Sequence, residues 1–175
     1  MRLHNCSDQR PELYEFFAAV GSGNLESVKA LLDVDPNLAK ARNLLQEAPL
    51  HVAAKWGQKE VTALLLAHGA NANTTTRSGE APLHYAAEDG DNCVVALLVA
   101  HGAQIDRRNS SGQTALHWAA QNGHKDVVAF LLAGGAEINA RDNHGQTPFH
   151  LCARWEPELA ALLRKHGGLD SQVAK

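Results

Sequence analysis

Aromatic side chains make up only 5% of this 175-residue chain, so its core has to be assembled from Ala, Leu and Val. Cysteine is sparse as well. Cys6, Cys93 and Cys152 are odd in number and widely separated, which excludes a C-x-x-C pair and a disulfide framework. Such thiols suit a reducing cytoplasm, where they serve as small apolar fillers or surface residues. No apolar run approaches the roughly 18 residues of a membrane span. The polar stretch Met1 to Arg10 lacks the apolar centre of a signal peptide, so no leader is expected. The sequons at Asn5, Asn73 and Asn109 are then chance matches. Positive charge is also in short supply. A net charge of −3 does not supply the dense footprint that nucleic acid or an anionic membrane surface requires. Catalytic signatures are missing: the chain has no H-E-x-x-H, no G-x-S-x-G and no P-loop. Gly21-Ser22-Gly23 lacks the third glycine and the preceding strand of a dinucleotide site. Hydrophobic residues at 45% and charged residues at 20% nevertheless describe an ordinary globular chain.

What the sequence does have is a period. His51, His84, His117 and His150 are 33 residues apart. Each sits in a similar frame: Ala48-Pro49-Leu50-His51, Ala81-Pro82-Leu83-His84, Thr114-Ala115-Leu116-His117 and Thr147-Pro148-Phe149-His150. Gly57, Gly90 and Gly123 follow six residues after the histidine, and Gly69, Gly102 and Gly135 come twelve residues later still. Gly79, Gly112 and Gly145 precede the tetrapeptide at a fixed offset.

The local physics gives two helices per period. Pro49, Pro82 and Pro148 fall in a first turn, where a missing N–H costs nothing. Thr114 and Thr147 are placed to cap it. A short helix then runs to a glycine that can end it in the left-handed conformation. A second apolar run follows, at Val61 to Leu66, Val94 to Val99 and Val127 to Leu132. Neither helix is long enough to be stable alone. The pairs Ala53-Ala54, Ala86-Ala87 and Ala119-Ala120 let the next helix approach closely, and stacking is what buries the Leu/Val face. Polar, turn-rich stretches at Asn71 to Gly79, Gln104 to Gly112 and Glu137 to Gly145 read as hairpin-like fingers on one side.

With these residues in register, the sequence resembles the ankyrin-repeat family, whose unit carries T-P-L-H-x-A-A, V-V-x-L-L-L and G-A-x-x-N. The resemblance spans about Pro11 to Gly168. It implies an all-α ankyrin-repeat solenoid of helix-turn-helix units linked by β-turn or hairpin fingers. The expected layout is a polar tail over 1–10, one repeat domain over 11–168 and a tail over 169–175. Within the domain, 11–43 is an N-terminal cap, 44–76, 77–109 and 110–142 are full repeats, and 143–168 is a C-terminal cap. In the first unit, Pro11 to Val20 and Leu25 to Leu32 read as helices, with Tyr14, Phe16 and Phe17 packing onto the second unit. In the last, Trp155 stands near the missing glycine and Pro157 opens the second helix.

The ten histidines raise a metal site. Stacked helices lie about 8–10 Å apart, whereas zinc ligands sit about 2 Å from one metal, so the periodic four cannot converge. No metal or cofactor is expected, and each of these histidines should instead tie its first turn to neighbouring backbone, as the resemblance implies. His68 and His101 end second helices, where a partly positive ring suits the dipole. Cys152 replaces one of the paired alanines as a buried filler, and Cys93 faces outward.

Large apolar residues that stacking does not demand are more informative. The residue after each periodic histidine and the one four later share a helix face. These pairs are Val52/Trp56, Tyr85/Asp89, Trp118/Asn122 and Leu151/Trp155. In ankyrin-like proteins that face, with the finger tips, lines a concave groove. Trp56, Tyr85, Trp118 and Trp155 would then form an aromatic stripe, and such side chains are enriched at binding hot spots. The plainer alternative is that each ring covers its neighbours in the stack, with Trp155 sealing the cap or meeting a second copy.

At the finger tips, Leu44 and Leu45 either meet a ligand or fold onto the cap, and Gln46 stands where the other tips have glycine. Arg77, Arg107, Arg108 and Arg141 on the tips, with Glu88 and Asp89 on the adjacent helix, give a mixed-charge rim. Leu131 to Asn139 is similar to sites that an asparaginyl hydroxylase modifies in ankyrin repeats of animal cells, although Asn139 also suits a turn. The expected protein is a non-enzymatic, monomeric module that binds another protein, not nucleic acid or membrane. A regulatory or inhibitory subunit of a partner enzyme is the alternative.

Overall fold

The computed structural model describes residues 11–169, so the expected tail over 1–10, including Cys6, and 170–175 lie outside the described residues. Among the described residues ten α-helices form five antiparallel pairs. They are α1 Pro11–Ser22 with α2 Leu25–Val34, α3 Pro49–Lys55 with α4 Lys59–Ala67, and α5 Pro82–Asp89 with α6 Asn92–Ala100. Two more pairs follow, α7 Ala115–Gln121 with α8 Lys125–Ala133, and α9 Pro148–Cys152 with α10 Pro157–Lys165. The first helix of each pair stacks on the first helix of the next, and the second helices form a second layer. Neighbouring first helices pack more closely than neighbouring second helices. The alanines are the reason: Ala53, Ala54, Ala86, Ala87, Ala119 and Ala120 are all fully buried, and no larger side chain holds their helices apart. The core between the layers repeats with the period, with Leu50, Leu83, Leu116 and Phe149 of the first helices and Leu65, Leu98, Leu131 and Leu163 of the second helices buried in one cluster.

Each first helix starts on its proline or its alanine as expected, but the cap differs in its chemistry. The hydroxyls of Thr114 and Thr147 do not reach the backbone of the first turn. They donate instead to Nδ1 of His117 at 2.9 Å and of His150 at 2.6 Å. The capping acceptor is the histidine ring, which takes the N–H of residue 48, 81, 114 or 147 at 2.9–3.1 Å. Proline or alanine at the next position leaves the histidine three residues on directly below that N–H.

The same rings join the units. Nε2 donates from His51 to Glu80 O (3.1 Å), from His84 to Gln113 O (3.0 Å) and from His117 to Gln146 O (3.2 Å). An accepting Nδ1 and a donating Nε2 fix one neutral tautomer. Burial, the largest cause, lowers the pKa of all three rings below 6.5. His68, His101 and His166 each turn a ring nitrogen onto the carbonyl four residues back, at 2.9 Å, and so close their second helices.

The glycine after each of the first four first helices leaves room for the next unit. Gly90 (φ +86°) ends α5, and the His124 ring lies where its Cβ would be. Gln58 lies in the same way over Gly23, a Cβ at Gly57 would meet Asp89 Oδ2 at 2.8 Å, and one at Gly123 would press on Glu156 at 3.2 Å. Among the described residues the fingers contain no strands. Each is a turn closed by backbone bonds such as Thr76 N–H to Glu80 O (3.0 Å) and Asn109 N–H to Gln113 O (2.9 Å).

The first pair departs from the expected packing. Phe16 is buried and Phe17 half-buried, but Tyr14 is 75% exposed. Tyr14 lies two residues before Phe16, about 200° around the helix and so on the opposite face. Asp35 ends α2, and its side chain caps a 3-10 turn over Pro36–Lys40 in place of the Gly-Ala turn.

Candidate interaction face

Of the predicted aromatic positions, Tyr85 and Trp118 lie within first helices, whereas Trp56 caps the end of α3 and Trp155 lies three residues beyond the end of α9, so Leu151 and Trp155 do not share a helix face. Tyr85 and Trp118 meet edge to face, with ring centroids 5.7 Å apart. Each also stacks edge-on against the histidine of the preceding unit, Tyr85 on His51 (5.8 Å) and Trp118 on His84 (5.5 Å). Their polar ends are held within the chain. Tyr85 OH donates to Glu80 Oε2 (3.1 Å), and Trp118 Nε1 donates to Gln113 Oε1 (3.0 Å). Partial burial, joined by the Glu80 charge, raises the Tyr85 hydroxyl well above its usual range. Both rings are half-buried, so they cover the histidine seam while remaining partly accessible. Lys55 lies over the Tyr85 ring at 5.8 Å.

Trp56 is placed differently. It follows α3, is 60% exposed and lies beside Gly21 of α1 rather than in the Tyr85–Trp118 pair. Trp155 is 74% exposed, with the Arg154 guanidinium 5.2 Å from its ring, and so does not bury itself as a seal. The expected stripe is therefore a linked pair with a separate exposed ring toward either end. Asp89 and Asn122 are exposed at the ends of α5 and α7. The carboxyl of Asp89 is raised by partial burial and by Asp91, against an opposing effect of His124. The Asn122 side chain donates to Trp118 O (2.9 Å).

At the fingers, Leu44 and Leu45 stay 80% and 70% exposed and do not fold onto the cap. Arg77 is exposed on the next finger. Sequence reasoning passed over Arg42, which donates to Gln46 O and Thr75 O (2.7 Å each) and to the Thr74 hydroxyl (2.5 Å). The signal was available, because Arg42, Arg108 and Arg141 each stand nine residues before a periodic histidine. Asn139 bridges units, donating to Gly167 O (3.0 Å) and accepting from Leu169 N–H (2.9 Å). Asn73 makes the same bridge to Gly102 and Gln104, so this residue has a structural task between turns rather than within one. Cys152 is buried and Cys93 exposed.

A family model described as ankyrin repeats (3 copies) matches residues 16–109 and 91–173. The chain belongs to the ankyrin-repeat family. Repeats of this family mediate protein–protein interaction. Among curated proteins the chain is similar to the E3 ubiquitin-protein ligase XB3 of Oryza sativa subsp. japonica, 37% identical over 65 residues. That match covers 37% of this chain and 14% of the relative. It is also similar to the E3 ubiquitin-protein ligase XBAT32 of Arabidopsis thaliana, 37% identical over 63 residues, 35% of this chain and 12% of the relative. This ankyrin-repeat chain thus matches about a seventh or less of these relatives' length. No described helix is long and apolar enough to cross a membrane.

Proposed function

We propose that the protein is a non-catalytic, monomeric module, one domain over 11–168, that presents the first-helix face and the finger tips to a protein partner. The observation that carries this reading is the edge-to-face Tyr85–Trp118 pair on that face, with exposed Trp56 toward the first unit. Closer packing of the first helices favours curvature toward their side, and hence a concave groove lined by these rings. A preformed rigid stack loses little entropy on docking, which favours binding without chemistry. Asp89, Asn122 and Trp155 would form the rim. A buried Cys152 and an unpaired, exposed Cys93 suit a reducing cytoplasm.

The test is capture from source-cell lysate with wild-type bait beside two variants of matched helical circular dichroism. Trp56→Ala removes the exposed ring without touching the seam. Trp56→Ala/Tyr85→Ala/Trp118→Ala removes all three. A protein held by the wild type and weakened about tenfold or more by both variants supports the reading. Equal capture by all three baits overturns the aromatic assignment.

A further inference from the structure

Successive fingers are stitched together by one backbone bond at the same place in the period. Ser110 N–H donates to Ser78 O (2.8 Å), and Asn143 N–H donates to Ser111 O (2.9 Å). Thirty-three residues earlier the pair is Arg77 N–H and Leu45 O, and these two groups do not bond to each other. The first two fingers stand apart there, around an open cleft of about 380 Å³ lined by Arg42, Gln46, Thr75, Thr76 and Arg77. Two arginines and no acidic residue share this lining. The nearby acids are held by neutral donors outside the lining or at its edge. Glu47 accepts from Asn43 Nδ2 (2.8 Å), and Glu80 accepts from the hydroxyls of Thr76 (2.6 Å) and Tyr85 (3.1 Å).

Further along the stack the charge is balanced within the chain, since Arg108, the counterpart of Arg42, pairs with Glu137 at 3.6 Å. Arg42 meets only neutral oxygens, through three of its five N–H groups, and keeps Nε–H and one Nη2–H for another acceptor. Exposed Leu44 and Leu45 directly precede Gln46 of the cleft on the first finger.

We propose that this cleft seats an acidic, extended segment of a protein partner. A glutamate or aspartate carboxylate sits between Arg42 and Arg77, and a neighbouring apolar side chain covers Leu44 and Leu45. The segment's backbone takes up the Arg77 N–H and the Leu45 carbonyl that the fingers leave to each other unused, the strand-addition mode of peptide recognition. The inference rests on the protein-binding reading and gives that partner a chemistry.

The experiment titrates the full ¹⁵N-labelled chain with a blocked hexapeptide of alternating Leu and Glu, read by amide and arginine Nε–H shifts at low salt. Matched Leu/Gln and Leu/Lys peptides and inorganic phosphate are the comparisons. The expected result is shifts at Leu45, Arg77 and the Arg42 side chain, with the Glu peptide binding about fivefold or more tightly than the Gln peptide. Arg77→Gln and Leu45→Ser should each weaken it about threefold while leaving the fold intact. Arg42→Gln should also weaken it, but it removes a finger-to-finger bond and so does not decide the question alone. Equal binding of Glu and Gln peptides overturns the proposal, as do shifts confined to Tyr85 and Trp118. Phosphate acting as strongly as the Glu peptide at the same residues overturns it in favour of a general anion site. If Trp56→Ala loses the captured partner while the peptide fails to bind, the module reading stands and the cleft assignment falls.

Discussion

The middle of the stack and its first finger are built on one period and behave differently. From His84 to Gln146, each ring caps its own helix and donates to the next unit, and each finger is bonded to its neighbour through the backbone. At the first finger the histidine seam continues through His51, but the edge opens. Glycine gives way to Gln46 at φ +63°, the one described non-glycine residue in left-handed backbone, and two leucines project into solvent. The seam is what the fold cannot do without. The finger edge is where the chain can depart from the period without losing the stack, and departures there are free to serve a partner.

Breaking the seam should have the largest effect. His84→Ala leaves Ala81 N–H and Gln113 O without their partner and opens a cavity at the centre of the stack. We expect a loss of about 2–4 kcal/mol by urea denaturation. Protonation attacks the same rings. His51, His84 and His117 have pKa values lowered by burial, so below about pH 6.5 the unfolded chain binds protons that the fold refuses. Stability should therefore be full above pH 6.5 and fall as pH drops toward the folded-state values, by up to about 1.4 kcal/mol per pH unit for each ring. A urea midpoint that stays flat from pH 7.5 to 5.5 would contradict a seam of neutral histidines.

The seam was legible because it is periodic. Prolines in first turns, alanines at contact positions and histidines 33 apart each have one physical solution when stacked. The parts that escaped lack that repetition or depend on a choice between partners. Tyr14 and Phe16 lie in a unit with no second copy to set its helical phase. A threonine hydroxyl beside a histidine ring can bond backbone or ring, and spacing does not choose between them. Tyr85 and Trp118 were placed on a helix face by four-residue spacing, yet their polar ends reach five residues back to Glu80 and Gln113 on the fingers, outside helix logic. The cleft is marked by a bond that does not form, and nothing in the residue letters shows it.

The finger edge can be tested by exchanging its odd residue with its regular counterpart. Gly79 has φ +77°, and an added Cβ would meet the backbone of the next finger, 3.2 Å from Ser110 N. Gly79→Gln should cost about 1–2 kcal/mol and part the second and third fingers. Gln46→Gly relieves left-handed strain at φ +63° and should gain about 0.5–1 kcal/mol. Thermal melts of the two variants check both signs. Equal and small changes would mean that the first finger is no more strained than the rest.

The smallest effect separates units within the seam itself. Thr114 and Thr147 add a hydroxyl to the ring nitrogen that caps the helix, and Ala48 and Ala81 do not. Ala81→Thr should supply that bond to His84 Nδ1, and Ala48→Thr should supply it to His51. The gain expected is about 0.5–1 kcal/mol each, the net worth of one buried hydrogen bond, read as a rise in melting midpoint. The gain should disappear when the ring is removed, so Ala81→Thr should be neutral or harmful on a His84→Ala background. A gain that survives that background would come from ordinary backbone capping and would return the cap to the threonine. A loss in both single variants would mean that positions 48 and 81 have no room for the two added heavy atoms, and that alanine there is required by the packing of the first helices.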